Sequence, residues 1–126
     1  MSDLNTAQFA FKNAVNLYSD NNLNEAIEQL NEILKTYPNH ENALDLLGII
    51  FIKQNKLEEA LNVVNKSIKL VKNNKKYLDI KYKLLIYKGD NNNAFDCLKL
   101  LHKKYPSVNS AREISNHYLD LDEKDK

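Results

Sequence analysis

Apolar residues recur along this chain at spacings of three and four, the pattern of helices with one buried face. Residues 7–20 carry Phe9, Ala10, Ala14 and Leu17, and residues 24–36 carry Ala26, Ile27, Leu30, Ile33 and Leu34. A second pair of segments follows, with Leu44, Leu47, Gly48 and Phe51, then Ala60, Leu61, Val64 and Ile68. A third has Leu78 and Leu85, then Ala94, Phe95, Leu98 and Leu101. The spacing predicts seven helices, near 7–20, 24–37, 41–54, 58–72, 75–88, 92–105 and 109–121.

Laid over one another, the three pairs coincide. Ala26, Ala60 and Ala94 recur at intervals of 34 residues, and Pro38 and Pro106 stand two such intervals apart. Asn21, Asn55 and Gly89 are equivalent under the same period. Gly accepts the left-handed conformation freely and Asn is the next best choice, so the first helix of each pair is predicted to end there. Leu23 and Leu57 follow as apolar contacts across the turn, with Asn91 in their place in the third unit. Pro38 and Pro106 close the second helices, because proline cannot continue a helix without losing a hydrogen bond. Lys72 stands at that position in the middle unit, where the helix is predicted to run on or to stop at Asn73 and Asn74. Helices of about 12 residues are marginal alone in water. Small residues mark where their neighbours come close: Ala14 and Gly48 in the first helices, and the three periodic alanines in the second. A fixed period of helical hairpins, each incomplete alone, implies a stack that supplies the rest of each core.

These residues resemble the tetratricopeptide repeat family, a 34-residue helix–turn–helix pattern. The second unit carries it as "LDLLGIIF" and "EEALNVV", the first as "AFKNAVNL", "NEAIEQL" and "YP", and the third as "LDIKYKLL", "NNAFDCL" and "YP". The resemblance implies an all-α fold, a right-handed superhelix (solenoid) of helical hairpins with about seven helices. It also implies a domain plan: an N-terminal lead at 1–6, one domain at 7–122 and a disordered tail at 123–126. The domain divides into repeats 7–40, 41–74 and 75–108 and a capping helix at 109–122, where Ala111, Ile114, Tyr118 and Leu121 continue the spacing. Two positions depart from the family pattern. Tyr82 takes the slot of Ala14 and Gly48, and Asn13 and Lys81 stand where the middle unit has Leu47.

Composition narrows the function. With 2 Gly and 2 Pro the chain has few tight turns, which suits an all-helical fold. A net charge of +1 gives no general electrostatic case for nucleic acid or for an anionic membrane. The N-terminal residues lack the pattern of a secretory signal, and no apolar run reaches the roughly 18 residues of a spanning helix. Cytoplasmic residence is the expectation. The single Cys97 cannot form an internal disulfide and reads as a small packing residue. His40, His102 and His117 lie at no metal-ligand spacing, and Gly48 and Gly89 are too far apart for a phosphate loop. No catalytic residues, metal or cofactor are expected, and no enzymatic activity.

By resemblance, first helices line the concave side of such a stack and hold a partner there. The residues expected on that surface are Phe11, Val15, Tyr18, Asn42, Asp45, Ile49, Ile52, Lys53, Asp79, Lys83, Ile86 and Tyr87. The set mixes apolar and aromatic anchors with a few charges, as binding surfaces do. One subset of the family grips acidic C-terminal tails through Lys and Asn. The equivalent places here are Phe11, Val15, Leu46, Lys76 and Ile80, of which only Lys76 has that character. The expected partner is therefore a protein offering an apolar peptide or amphipathic helix. Two other readings stand beside this one: a regulatory or substrate-presenting part of an enzyme system whose catalytic domain lies elsewhere, and self-association through the open faces of the stack.

Overall fold

The computed structural model describes residues 3–72 and 74–124, with side chains for 5–72 and 74–120. Among the described residues there are seven α-helices and no strand: α1 (Asp3–Ser19), α2 (Leu23–Thr36), α3 (Glu41–Lys53), α4 (Leu57–Leu70), α5 (Lys75–Lys88), α6 (Asn91–Lys104) and α7 (Val108–Lys124).

Every hairpin turns in the same way. Asn21, Asn55 and Gly89 have φ of 63°, 59° and 87°, the left-handed region predicted for them. Each turn is closed by two backbone bonds. The N–H groups of Asn22, Lys56 and Asp90 donate to the carbonyls of Leu17, Phe51 and Leu85 at 2.8, 2.8 and 2.9 Å. Those of Asn21, Asn55 and Gly89 donate to Tyr18, Ile52 and Ile86 at 3.0 Å. This is the Schellman arrangement, which satisfies carbonyls that the end of a helix would leave unpaired. One residue later the next helix begins. The N–H groups of Ala26, Ala60 and Ala94 donate to the carbonyls of Asn22, Lys56 and Asp90 at 3.0 Å. The periodic alanines thus open the second helices, with side chains 0%, 0% and 1% exposed.

The connections between hairpins use side-chain caps. His40 Nδ1 accepts the Ala43 N–H at 3.1 Å at the start of α3. Asn74 accepts from Lys76 N at 2.9 Å at the start of α5. Ser107 and Ser110 cap α7 reciprocally, Ser110 N donating to Ser107 Oγ at 3.0 Å and Ser107 N to Ser110 Oγ at 3.2 Å, a capping box with Ser as its second member. That cap sits one residue after Pro106, whereas His40 lies two after Pro38. The link into α7 is one residue shorter, so α7 starts one residue ahead of the 34-residue register.

Three other boundaries move. α1 begins at Asp3, inside the expected lead, because Ala7 is buried and extends the apolar stripe by a turn. α7 runs to Lys124, so the first half of the expected tail is helical and its last two residues lie outside the described ones. α4 stops at Leu70, ahead of both predicted alternatives, and a turn at Val71 and Lys72 leads towards the Asn74 cap.

The chain forms two compact units, Met1–Leu70 and Val71–Lys126. In the first, α1 packs on α2 and α3 on α4 as antiparallel hairpins, α2 packs on α3, and α1 also touches α3 directly. Its core is built on Leu30, Leu44 and Ile50. A methyl built on Gly48 would lie 3.6 Å from Val63 Cγ1, so the small residue marks where α3 meets α4. In the second unit α5 packs on α6 and α6 on α7, and Leu78, Leu85, Ala94 and Leu98 are among the buried side chains.

Candidate functional site

The residues expected at a binding surface fall on α1 and α3 in the first unit and on α5 in the second. On α1 and α3, Val15, Ile49 and Ile52 stand 36%, 49% and 42% exposed. Phe11 and Tyr18 are half-buried and pack against the core with their inner edges. The Phe11 ring lies 5.9 Å from that of His40, and Lys53 Nζ sits 5.1 Å above the Tyr18 ring, tying the end of α3 to the end of α1. Asn42 is exposed on the first turn of α3, and Asp45 is half-buried. The contact between α1 and α3 gathers these eight residues on two adjoining helices. Leu46, one of the places where the acid-gripping relatives need a polar group, is buried at 8% exposure.

On α5, Ile86 and Tyr87 are 45% and 81% exposed. Lys83 is exposed, and Asp79 is half-buried and paired with Lys75 at 3.3 Å. The surroundings of α5 differ from those of α1 and α3. No Cα of α5 comes within 8 Å of α7 among the described residues, whereas α1 and α3 do approach that closely. Tyr82 stands on the α5 side of that gap. It takes the repeat position of Ala14 and Gly48, and it donates a hydrogen bond to Glu113 on α7. Burial, then the Glu113 charge and that hydrogen bond, push the Tyr82 pKa up, so the phenol keeps its proton.

The space between α5 and α7 is a cleft of about 560 Å³. Tyr82, Ile86, Glu113, Asn116 and His117 form its walls, and Gly89 to Asn92 and Asp120 also line it. A smaller hollow of about 260 Å³ shares Tyr82 and Glu113 and carries Lys75, Asp79 and Lys83. In the first unit a third hollow of about 250 Å³, between α1 and α2, is walled by Ala7, Ala10, Ile33 and Tyr37. The α5–α7 cleft escapes sequence reasoning, which registers only that one of its lining residues, Tyr82, stands in a small-residue slot.

The three histidines and the cysteine each have a structural task. His40 caps α3. His102 Nδ1 lies 2.6 Å from Ser110 Oγ and fastens α6 to the cap of α7. His117 stacks on Phe95 with ring centroids 4.1 Å apart, and Tyr118 meets the same ring edge-on at 5.3 Å. Cys97 is buried, its thiol donating to the Leu78 carbonyl at 3.3 Å. Burial pushes that thiol's pKa up, which disfavours the nucleophilic thiolate. Among the described residues no group of His, Cys, Asp and Glu could hold a metal ion, and no helix is long and apolar enough to cross a membrane.

A family model described as "Tetratricopeptide repeat" matches residues 17–84. No curated protein matches the sequence. Among solved structures, a tetratricopeptide repeat protein from Parabacteroides merdae ATCC 43184 superposes with a TM-score of 0.80 at 20% identity, over 94% of this chain and 48% of that one. The Yersinia enterocolitica type III secretion chaperone SycD, in complex with a peptide of the translocator YopD, gives 0.71 at 15% identity, over 93% and 88%. The TPR2B domain of yeast Sti1, in its pHsp70 complex, gives 0.66 at 21% identity, over 94% and 97%. At these identities the likeness shows the fold. The chain spans 66%, 48% and 63% of the first three solved proteins it resembles.

Proposed function

The chain belongs to the tetratricopeptide repeat family, and on that premise we propose that it is a non-enzymatic protein-interaction module holding a peptide or helical segment of a partner. The carrying observation is the exposure of Val15, Ile49 and Ile52 on the adjoining helices α1 and α3, with Phe11 and Tyr18 at the edge of the core. Ile86 and Tyr87 on α5 form a second exposed set. Apolar groups gathered outside a core are what a partner segment covers. These faces are the ones that the family resemblance assigns to the concave side of a repeat stack. The SycD–YopD peptide complex supports the reading, since the same fold there holds a peptide. Within it, the repeats run over 7–40, 41–74 and 75–108, α7 caps the last of them, and the module works in the cytoplasm.

The test is capture of a partner from the native cell by the immobilised chain, followed by variants of each face separately. Few anchors dominate such surfaces, each worth about 2 kcal/mol or more. Ile49→Ala with Ile52→Ala, or Ile86→Ala with Tyr87→Ala, is expected to abolish capture with circular dichroism unchanged. Glu32→Ala and Lys66→Ala, exposed on α2 and α4, are expected to leave capture intact. Retention by both face variants alongside loss by the controls would place binding on the second helices and defeat the assignment.

A further inference from the structure

We propose that the cleft between α5 and α7 is an anchor for a lysine or arginine side chain of the partner segment, an inference that rests on the peptide-binding reading above. In the first unit α1 and α3 meet, whereas in the second no Cα of α5 comes within 8 Å of α7 among the described residues. Tyr82 on α5 and Glu113 on α7 face one another in the space between. That space of about 560 Å³ is the size of pockets that enclose a ligand group. Its lining decides which group. Asp90, Glu113 and Asp120 face it, and no lysine or arginine lines it among the described residues. Ile86, 45% exposed, offers an apolar wall to a methylene stem while the charged head reaches the carboxylates. The Tyr82 hydroxyl occupies one acceptor site of a carboxylate that has about four, so Glu113 still accepts from a cation.

The neighbouring hollow differs. Across the Tyr82–Glu113 contact it carries Lys83 and the paired Lys75 and Asp79, so its charges are mixed, where the cleft carries carboxylates and no lysine or arginine among the described residues. The polarity of the cleft is the reverse of the grip on acidic tails, and it agrees with the apolar residues that stand at the acid-gripping places of the sequence.

The experiment titrates the ¹⁵N-labelled full chain with three synthetic peptides, acetyl-Ser-Leu-Lys-Leu-Ser-amide and its Gln and Glu counterparts. The Lys peptide is expected to shift the amide signals of Ile86, Gly89 and Asn116, the Gln peptide to bind about tenfold more weakly, and the Glu peptide to leave those signals in place. Glu113→Gln with Asp120→Asn is expected to weaken the Lys peptide by about tenfold and to remove its advantage over the Gln peptide. Equal shifts from the Lys and Gln peptides at these amides would overturn the cationic anchor while leaving peptide binding intact. Shifts confined to α1 and α3 would move the anchor to the first unit and likewise overturn it. Absence of shifts with every peptide defeats the anchor. The peptide-binding reading itself is judged separately, by loss of capture in the face variants. Because the Gln and Glu peptides probe charge on the unaltered chain, the outcome does not depend on how a variant folds.

Discussion

Asn21, Asn55 and Gly89 do the same work at unequal cost. In the left-handed region a Cβ crowds the following carbonyl, about 1–2 kcal/mol for an ordinary residue, and Asn bears it better than most. A Cβ at Gly89 would meet nothing within 4 Å, so conformation is the only obstacle there. Gly89→Asn is therefore expected to keep a urea midpoint close to the parent's, and Gly89→Val to lose about 1–2 kcal/mol. Equal midpoints for Gly89→Val and the parent would refute the strain argument. Gly48 is the opposite case, a helix-interior glycine whose added methyl would rest 3.6 Å from Val63, an ordinary contact. Gly48→Ala is expected to stabilise by about 0.5–1 kcal/mol in the same measurement. Cys97 gives a third test. With its thiol pKa raised by burial, it is expected to react with an aryl disulfide far more slowly in the native chain than in urea. A raised folded-state pKa contributes stability that is full below the ordinary thiol pKa and is lost as pH rises through the raised one.

At the scale of the element, the hairpin is the unit that repeats. A periodic alanine makes the first backbone bond of each second helix and presents no more than a methyl where the hairpin closes. Ala60→Leu and Ala94→Leu are each expected to cost about 1–3 kcal/mol through overpacking, read as a lower denaturant midpoint with the helical signal retained. Unchanged midpoints in both would mean that the helices do not close there. These positions were legible in the sequence because packing of identical hairpins imposes identical spacing. Turn chemistry was legible for the same reason: few residues tolerate positive φ. The caps at His40 and Ser107 were less so, since a capping side chain is recognised by what it accepts, and many polar residues precede helices. The missing residue after Pro106 is readable by counting, but its effect on the α7 register required the cap geometry.

For the whole molecule, α7 is the helix with least to hold it. None of its described side chains is fully buried; it leans on α6 through the Phe95 ring and the His102–Ser110 contact. In a repeat architecture, stability is a sum over neighbours, so a terminal helix opens first. Hydrogen exchange at rising urea is expected to strip protection from α7 before α3. Phe95→Ala, which deletes the ring beneath His117 and Tyr118, is expected to bring α7 amides near unprotected rates while α5 and α6 retain theirs. Concerted loss of protection along the whole chain would contradict this.

The sequence by itself determined the helices, their hairpin pairing, the positive-φ turns and the family, because each follows from local spacing or from a rule about a single residue's backbone. Which exposed residues adjoin was also partly written there, since register assigns faces. Tertiary structure alone decided the rest. It made His40, His102 and His117 into packing and capping groups, set Phe11 and Tyr18 half inside the core, and brought Tyr82, an irregularity in the pattern, against Glu113 in the cleft between α5 and α7. Those outcomes depend on where side chains from separate helices meet. A one-dimensional pattern records that a position is large or polar; only packing determines what stands opposite it.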